Sequence, residues 1–417
     1  MMRIALVAAV CCVGLVLGSV ALAKDPPKVP SSVHKAITAY LKAAPEKEAK
    51  ALEKAVKACK GDVQLCAQAL RTLPRLTKGR AGTKHGIRFT SDGREFVYSI
   101  HLPKGYDGKK RFPVLVLPDH GSVGEKAGID FWVGKKDAEK YILFRPVICK
   151  HKNDRALFPD GQFFAIDQAL ARVMADALVH LRLHYAVDDE RFSMTGLSQA
   201  GYYTWYYAVS FPDTFAAIVP ESAGGMAVRA SIVRLAPNLK DMQVRILHHP
   251  DDQITPFRDA VRMRDALQGV DGHVELISYS DEDYGGNPFP KRHPGPHHLR
   301  LQNVLSWAHA HKRTIPTSLG RVVRYHQQGV EGKWFVLPSG DPTKPFTLNA
   351  TNDGGKLSAD QPGVSYLVSP EELAAKTTFR VDGKRVKVKP DIGLMLEMFK
   401  AGGDRGRLVA ARISVTE

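Results

Sequence analysis

Residues 187–205, VDDERFSMTGLSQAGYYTW, constrain the fold more than any other part of the chain. Residues 191–195 read as a short buried strand. Residues 196–201, Gly-Leu-Ser-Gln-Ala-Gly, read as a tight turn of small residues. From Ala200 onward, Tyr202, Trp205 and Ala208 recur at helical spacing, which predicts a helix packed back on a sheet. A serine between a strand end and a helix start, with small residues on both sides, is the nucleophile-elbow pattern. The turn is sharp and strained, and it lifts the Ser198 hydroxyl above the sheet. Strand and helix backbones nearly touch there, so the neighbours must be small. The backbone N–H of Gln199 then points to where an oxyanion would form.

The surrounding chain has the alternation that such a turn requires. Residues 87–102 alternate apolar and polar side chains like antiparallel strands, with Ser91-Asp92-Gly93 as a hairpin turn. Residues 113–117 form a continuous apolar run, as in a strand buried on both faces. Further strands are expected at 141–148, 215–220, 243–247 and 273–279. Amphipathic helices are expected at 161–184, 256–267 and 297–312. The order predicts an α/β fold with a mostly parallel sheet and helices on both faces.

The stretch from Asp188 to Trp205 resembles the elbow of α/β-hydrolases, in particular secreted esterases related to polyhydroxyalkanoate depolymerases, feruloyl esterases and prolyl-oligopeptidase-type catalytic domains. The resemblance covers residues 86–316. It implies Ser198 as nucleophile and Gln199 as one oxyanion donor. The second donor would come from the loop after strand 113–117, at Gly121 or Ser122, with His120 holding that loop. Related hydrolases carry their acid in a run like H-G-x-x-D-x-x-V-P. The run His248–Pro256 selects Asp252 by that spacing, and Asp251 is left to cap the following helix. The histidine should lie in or just after the Gly/Pro-rich loop 281–296. His293 stands three residues before Pro296 and fourteen before Trp307, which suits the family's placement; His297 and His298 are the alternates. The implied chemistry is carboxylic-ester hydrolysis through a Ser-His-Asp triad, with no cofactor. A serine peptidase of the prolyl-oligopeptidase type is the alternative, and so is a non-catalytic envelope-binding protein on the same scaffold. His248, His249, Asp251 and the histidines at 293–298 also offer metal-ligand types, but without H-E-x-x-H-type spacing. The substrate would be an ester-containing small molecule or polymer, and loops 124–135 and 281–291 would shape its site.

The flanking regions differ. Residues 1–23 carry Arg3, an apolar run and an Ala-Leu-Ala end, the pattern of a cleaved export signal. Periplasmic or extracellular residence follows as an expectation. Val10 before Cys11 argues against a lipid site. Residues 24–80 read as a helical segment in which Asp62 caps the third helix, and Cys59 and Cys66 could staple a hairpin by a disulfide. Two buried thiols would leave the same trace in sequence. Cys149 is left over in a strand. Residues 321–417 switch to short strands and Gly/Pro/Asn turns, a separate β-rich module, with Asp382-Gly383-Lys384 as a hairpin turn. The formal charge of the 417 residues is +16, with Lys and Arg scattered and not striped. That suits acidic envelope polymers. No helix-turn-helix, zinc finger or basic-aromatic ladder points to specific nucleic-acid binding. The sequence leaves the oligomeric state open.

Overall fold

A computed structural model describes residues 28–119, 125–135, 137–148, 168–223, 230–284, 290–293, 303–314, 318–323, 335–336, 346–361 and 363–414. The leader, His120, Gly121, Ser122, Cys149, His297 and His298 lie outside these residues.

Three short helices come first: α1 (Ser31–Leu41), α2 (Pro45–Ala58) and α3 (Val63–Arg71). The Asp62 carboxylate accepts the N–H groups of Gln64 and Leu65 and so caps α3 as its sequence implies. Pro45 takes the first turn of α2, where its missing N–H removes no bond.

The main sheet opens with the hairpin β1 (Gly82–Ser91) and β2 (Arg94–Leu102). Asp92 and Gly93 both take positive φ between them, as in a primed turn whose twist matches the strands. Then follow β3 (Phe112–Val116), α4 (Glu125–Asp130), β4 (Ile142–Val147), α5 (Gln168–His184), β5 (Val187–Leu197), α6 (Gln199–Ser210), β6 (Ala217–Glu221), α7 (Ala230–Arg234), β7 (Gln243–His248), α8 (Phe257–Gln268), β8 (Val274–Ser278) and α9 (Asn303–Ala310). The eight strands lie in the order β1-β2-β4-β3-β5-β6-β7-β8. Only the pairings of β2 with β1 and β4 are antiparallel; the rest are parallel. Alternate residues of the parallel strands serve two faces. Val114, Val116, Phe192, Met194, Ile218 and Ile246 pack under α5, α6 and α8. Leu115, Leu117 and Leu143 pack against Ile129, Trp132 and Leu305, and Val219 and Leu247 against Val304. Strands covered on both sides must be apolar throughout, which is why these segments are legible as continuous runs. This is the α/β-hydrolase arrangement that the elbow sequence predicts. Trp132, expected in a substrate loop, is instead part of the core on the second face.

The C-terminal part holds β9 (Ser318–Val323), β10 (Phe335–Val336), β11 (Phe346–Asp353), β12 (Lys356–Ala359), β13 (Ser365–Val368), α10 (Pro370–Ala375), β14 (Thr378–Val381), β15 (Lys384–Lys387), α11 (Ile392–Gly402) and β16 (Ala411–Ser414). They build a five-stranded sheet, β15-β14-β12-β11-β9, and a three-stranded one, β10-β13-β16. The core beneath them also contains Val33, Ile37, Tyr40 and Leu70 of α1 and α3. The N-terminal helices and the C-terminal strands therefore share one core, although the whole α/β span separates them in sequence.

A buried ionic chain joins this core to the eight-stranded sheet. Arg313 holds Asp404 through two nitrogens, at 2.6 and 2.9 Å, and reaches Glu190 of β5 at 3.0 Å. Asp189, next to Glu190, stands 3.3 Å from Arg182. Arg405 donates to the carbonyl of Arg182 at 3.0 Å. Desolvation pulls the Arg313 guanidinium down, but Asp404 and Glu190 outweigh it and keep the group charged.

The disulfide expected between Cys59 and Cys66 is not formed. Both residues are free, buried thiols, and a hydrogen bond joins them. That bond and burial push the Cys66 thiol up. The thiols fill the helical core as small apolar groups, so the hairpin closes without a covalent link.

Candidate active site

The elbow is built by close approach. A Cβ on Gly196 would stand 2.5 Å from the Ala200 carbonyl carbon, and one on Gly201 would stand 2.6 Å from Ala223 Cβ. Both positions therefore require glycine, while the Ala200 methyl is accommodated. Between them Ser198 takes φ 55° and ψ −117°, the first central position of a type II′ turn, where glycine is at ease and serine is strained. The strain is held by hydrogen bonds. Ser198 N–H donates to the Glu221 carbonyl of β6, and Tyr202 N–H of α6 donates to the Ser198 carbonyl, each at 2.9 Å. Beneath the turn, the Thr195 hydroxyl donates to the buried Glu221 carboxylate at 2.8 Å. The Ser198 side chain caps nothing, although the residue is the N-cap of α6. Gln199 is the first residue of that helix, where leading N–H groups have no intrahelical acceptor.

Asp252 sits in the turn after β7, and its carboxylate is saturated with donors. Oδ1 accepts the N–H of Ile254 at 2.8 Å and of Thr255 at 2.9 Å. The Thr255 hydroxyl stands 2.7 Å from Oδ2. His293 Nδ1 stands 2.9 Å from the same oxygen. Buried His248 lies beneath, its Nε2 3.5 Å from Oδ2 and donating to the Thr255 carbonyl at 2.8 Å. Burial raises the Asp252 carboxyl, but hydrogen bonds from His248, His293 and Thr255 overcome this and hold it well below the usual carboxylate range. An ionised carboxylate only accepts, so His293 Nδ1 donates the bond between them, and in the neutral imidazole Nε2 is then the nitrogen with the lone pair. That is the tautomer a general base needs.

The structure thus brings Asp252 and His293 together and sets Ser198 on the strained elbow. Among the described residues no hydrogen bond joins Ser198 Oγ to His293. Such contacts are often long before substrate binds. The capping role expected of Asp251 is not observed: α8 begins after Pro256 with no side-chain cap, and Asp251 binds Arg292 instead. His249 stands where the H-G-x-x-D-x-x-V-P run of the hydrolases this chain resembles has glycine. Its Nδ1 accepts the Asp251 N–H at 3.0 Å, and its Nε2 lies 3.4 Å from Asp281. Asp119, at the root of the loop that carries Gly121 and Ser122, is buried and accepts the Ile148 N–H at 3.0 Å, which ties that root to the end of β4. Sequence reasoning missed the parts played by His248, Thr255, Arg292 and Asp281. Closeness in sequence to the two triad candidates could have signalled His248, Thr255 and Arg292, whereas Asp281 is brought in only by the fold.

No family model matches the sequence. Dipeptidyl peptidase 4 of Bos taurus is 22% identical over 226 residues, which are 46% of this chain and 29% of that protein. The Sus scrofa counterpart is 20% identical over 224 residues. The chain thus spans less than a third of the curated relatives it matches. Among solved structures, a thermostable esterase superposes with TM-score 0.46 and 22% identity, covering 55% of this chain and 63% of that one. A dienelactone hydrolase from Klebsiella pneumoniae gives 0.42 and 18%, covering 55% and 99%. The acylaminoacyl peptidase of Pyrococcus horikoshii gives 0.41 and 17%, covering 54% and 41%.

Proposed function

We propose that this chain is a serine hydrolase that cleaves carboxylic esters through an acyl-enzyme. The observation that carries the reading is the strained Ser198 at the elbow together with the Asp252–His293 pair at 2.9 Å. Ser198 Oγ attacks the acyl carbon while His293 Nε2 takes the hydroxyl proton. The oxyanion is met by the Gln199 N–H and by a backbone N–H of Gly121 or Ser122. Collapse breaks the acyl–oxygen bond, and the alcohol leaves with the proton from His293. Water then gives its proton to His293 and its oxygen to the acyl carbon, which frees the acid and restores Ser198. Asp252 holds the tautomer throughout.

The likeness of the elbow to secreted esterases supports an ester substrate. The match to dipeptidyl peptidase 4 supports a peptidase as the second reading. Hydrolysis of short and long p-nitrophenyl esters beside N-terminally free and blocked peptide anilides separates the two. Ester turnover that is lost in Ser198→Ala and indifferent to chelators is expected. Activity lost to a chelator and restored by zinc would refute the serine mechanism, and peptide turnover alone would favour the peptidase. A protein that turns over nothing would be the envelope-binding scaffold. Export belongs to the same reading: the protein recovered from its cell should begin after Ala23, and a chain still carrying Met1 or Met2 would refute it.

A further inference from the structure

We infer that Arg292 is a positioning residue that sets His293 against Asp252, an inference that rests on the serine-hydrolase reading. The residues before His293 are held in an unusual backbone. Lys291 has φ 60° and ψ 15°, and Arg292 has φ 48°, so two consecutive residues with full side chains stand in the left-handed region. L-residues keep such a conformation only where their surroundings impose it. Two contacts impose it here. The Gln253 N–H, next to Asp252, donates to the Lys291 carbonyl at 2.9 Å. The Arg292 guanidinium bridges two acids, with Nη1 3.1 Å from Asp251 and Nε 3.3 Å from Asp281.

The bridge has a specific register. Asp251 is the neighbour of the candidate acid, and Arg292 is the neighbour of the candidate base. The ion pair therefore ties the two loops together one residue away from the His293–Asp252 bond. Asp281 adds a third anchor just after β8, and His249 lies 3.4 Å from its other oxygen. The planar fork of arginine can engage two carboxylates along two directions, which lysine cannot do. The pairs are open to water, at 38% exposure for Arg292 and 65% for Asp251, so they add little to global stability. Their effect is on geometry, where a displacement of about 1 Å can slow a reaction by about a hundredfold. Losing the bridge removes one of the two contacts that hold the strained backbone before His293 and leaves the Gln253–Lys291 bond.

The test is the rate of Ser198 phosphonylation by a fluorophosphonate and the steady-state turnover of an activated ester, measured on the full chain. Arg292→Gln should slow labelling and lower kcat by about tenfold or more with KM nearly unchanged. Arg292→Lys should recover part of the loss. Asp281→Asn should lower kcat less, and adding it to Arg292→Gln should change little further. Arg264→Gln, at a half-buried arginine paired with its neighbour Asp265, should match wild type. Circular dichroism and urea midpoints close to wild type for Arg292→Gln exclude misfolding; if that variant does not fold, Asp281→Asn and Arg292→Lys carry the comparison. Wild-type rates in Arg292→Gln, or a loss confined to KM, would overturn the positioning role while leaving Ser198 in place. A wild-type protein that does not label at Ser198 would overturn the hydrolase reading and this role with it.

Discussion

Ser198→Gly should give a more stable protein than Ser198→Ala. The serine stands at φ 55° and ψ −117°, a region where a Cβ is crowded by the backbone. Such a residue costs about 1–3 kcal/mol, and removing the Cβ releases it. Glycine gives back about 0.4–1 kcal/mol through the greater freedom of the unfolded chain. The net gain is about 1 kcal/mol. Alanine keeps the Cβ and loses only the hydroxyl, which makes no cap to α6, so Ser198→Ala should denature like wild type. In urea, with a slope of about 3 kcal/mol per molar, the glycine midpoint should lie about 0.3 M above the alanine midpoint. Both variants should be inactive. Equal midpoints, or a lower one for glycine, would show that Ser198 carries no strain. The hydroxyl would then be presented by something other than a forced turn.

Other perturbations give distinct outcomes. Asp252→Asn should reduce ester turnover by about two to four powers of ten with the fold intact, because the amide no longer holds the His293 tautomer; turnover near wild type would remove Asp252 from the triad. Since the Asp252 carboxyl is depressed in the folded protein, its stabilisation is present above the unfolded value near pH 4 and is lost as the pH falls further. Asp252→Asn should flatten that part of the urea-midpoint profile. His180 is half-buried and stacks on His184, with ring centroids 3.9 Å apart, and its desolvation lowers it from 6.5 to about 4. Its neutral form therefore stabilises the fold above pH 6.5, and this is lost as the pH drops toward 4. His180→Gln should lose less stability than wild type across that window, by on the order of 2 kcal/mol after allowance for partial exposure; identical profiles would contradict the shift. Arg313→Ala leaves Asp404 buried without its bidentate partner and should destabilise the fold by about 3–5 kcal/mol in urea. A change under about 1 kcal/mol would mean that the ionic chain is dispensable.

The sequence showed most where one local rule acts alone. The parallel strands read clearly because both faces are covered. The elbow read clearly because Gly196 and Gly201 stand where a Cβ would collide with backbone or with Ala223. Asp62 and Asp92-Gly93 announced a cap and a turn by their own chemistry. What depends on distant partners stayed hidden. Nothing local says that Ile37 and Tyr40 share a core with Phe335 and Tyr366, since about three hundred residues or more intervene. Strand β12 went unread because its four residues carry only one buried side chain, Leu357, and a parallel partner, β14. Helix α10 was missed although Ser369 and Glu372 form a full capping box. Its six residues are too few for a periodic signal. The cysteine pair shows the limit of spacing arguments, because two residues placed for a bridge serve equally as buried thiols. Asp251 looked like a helix cap from its position before α8, and only the fold shows that its partner is Arg292.

The most direct measurement of the central claim is the site of covalent modification. The intact protein is treated with a fluorophosphonate, digested, and sequenced by mass spectrometry. One adduct per chain, on Ser198 in the peptide that contains Gly196-Leu197-Ser198-Gln199, is the expected result, absent from Ser198→Ala and slowed in His293→Ala. An unmodified chain that nevertheless hydrolyses esters, or an adduct at another serine that survives Ser198→Ala, would contradict it.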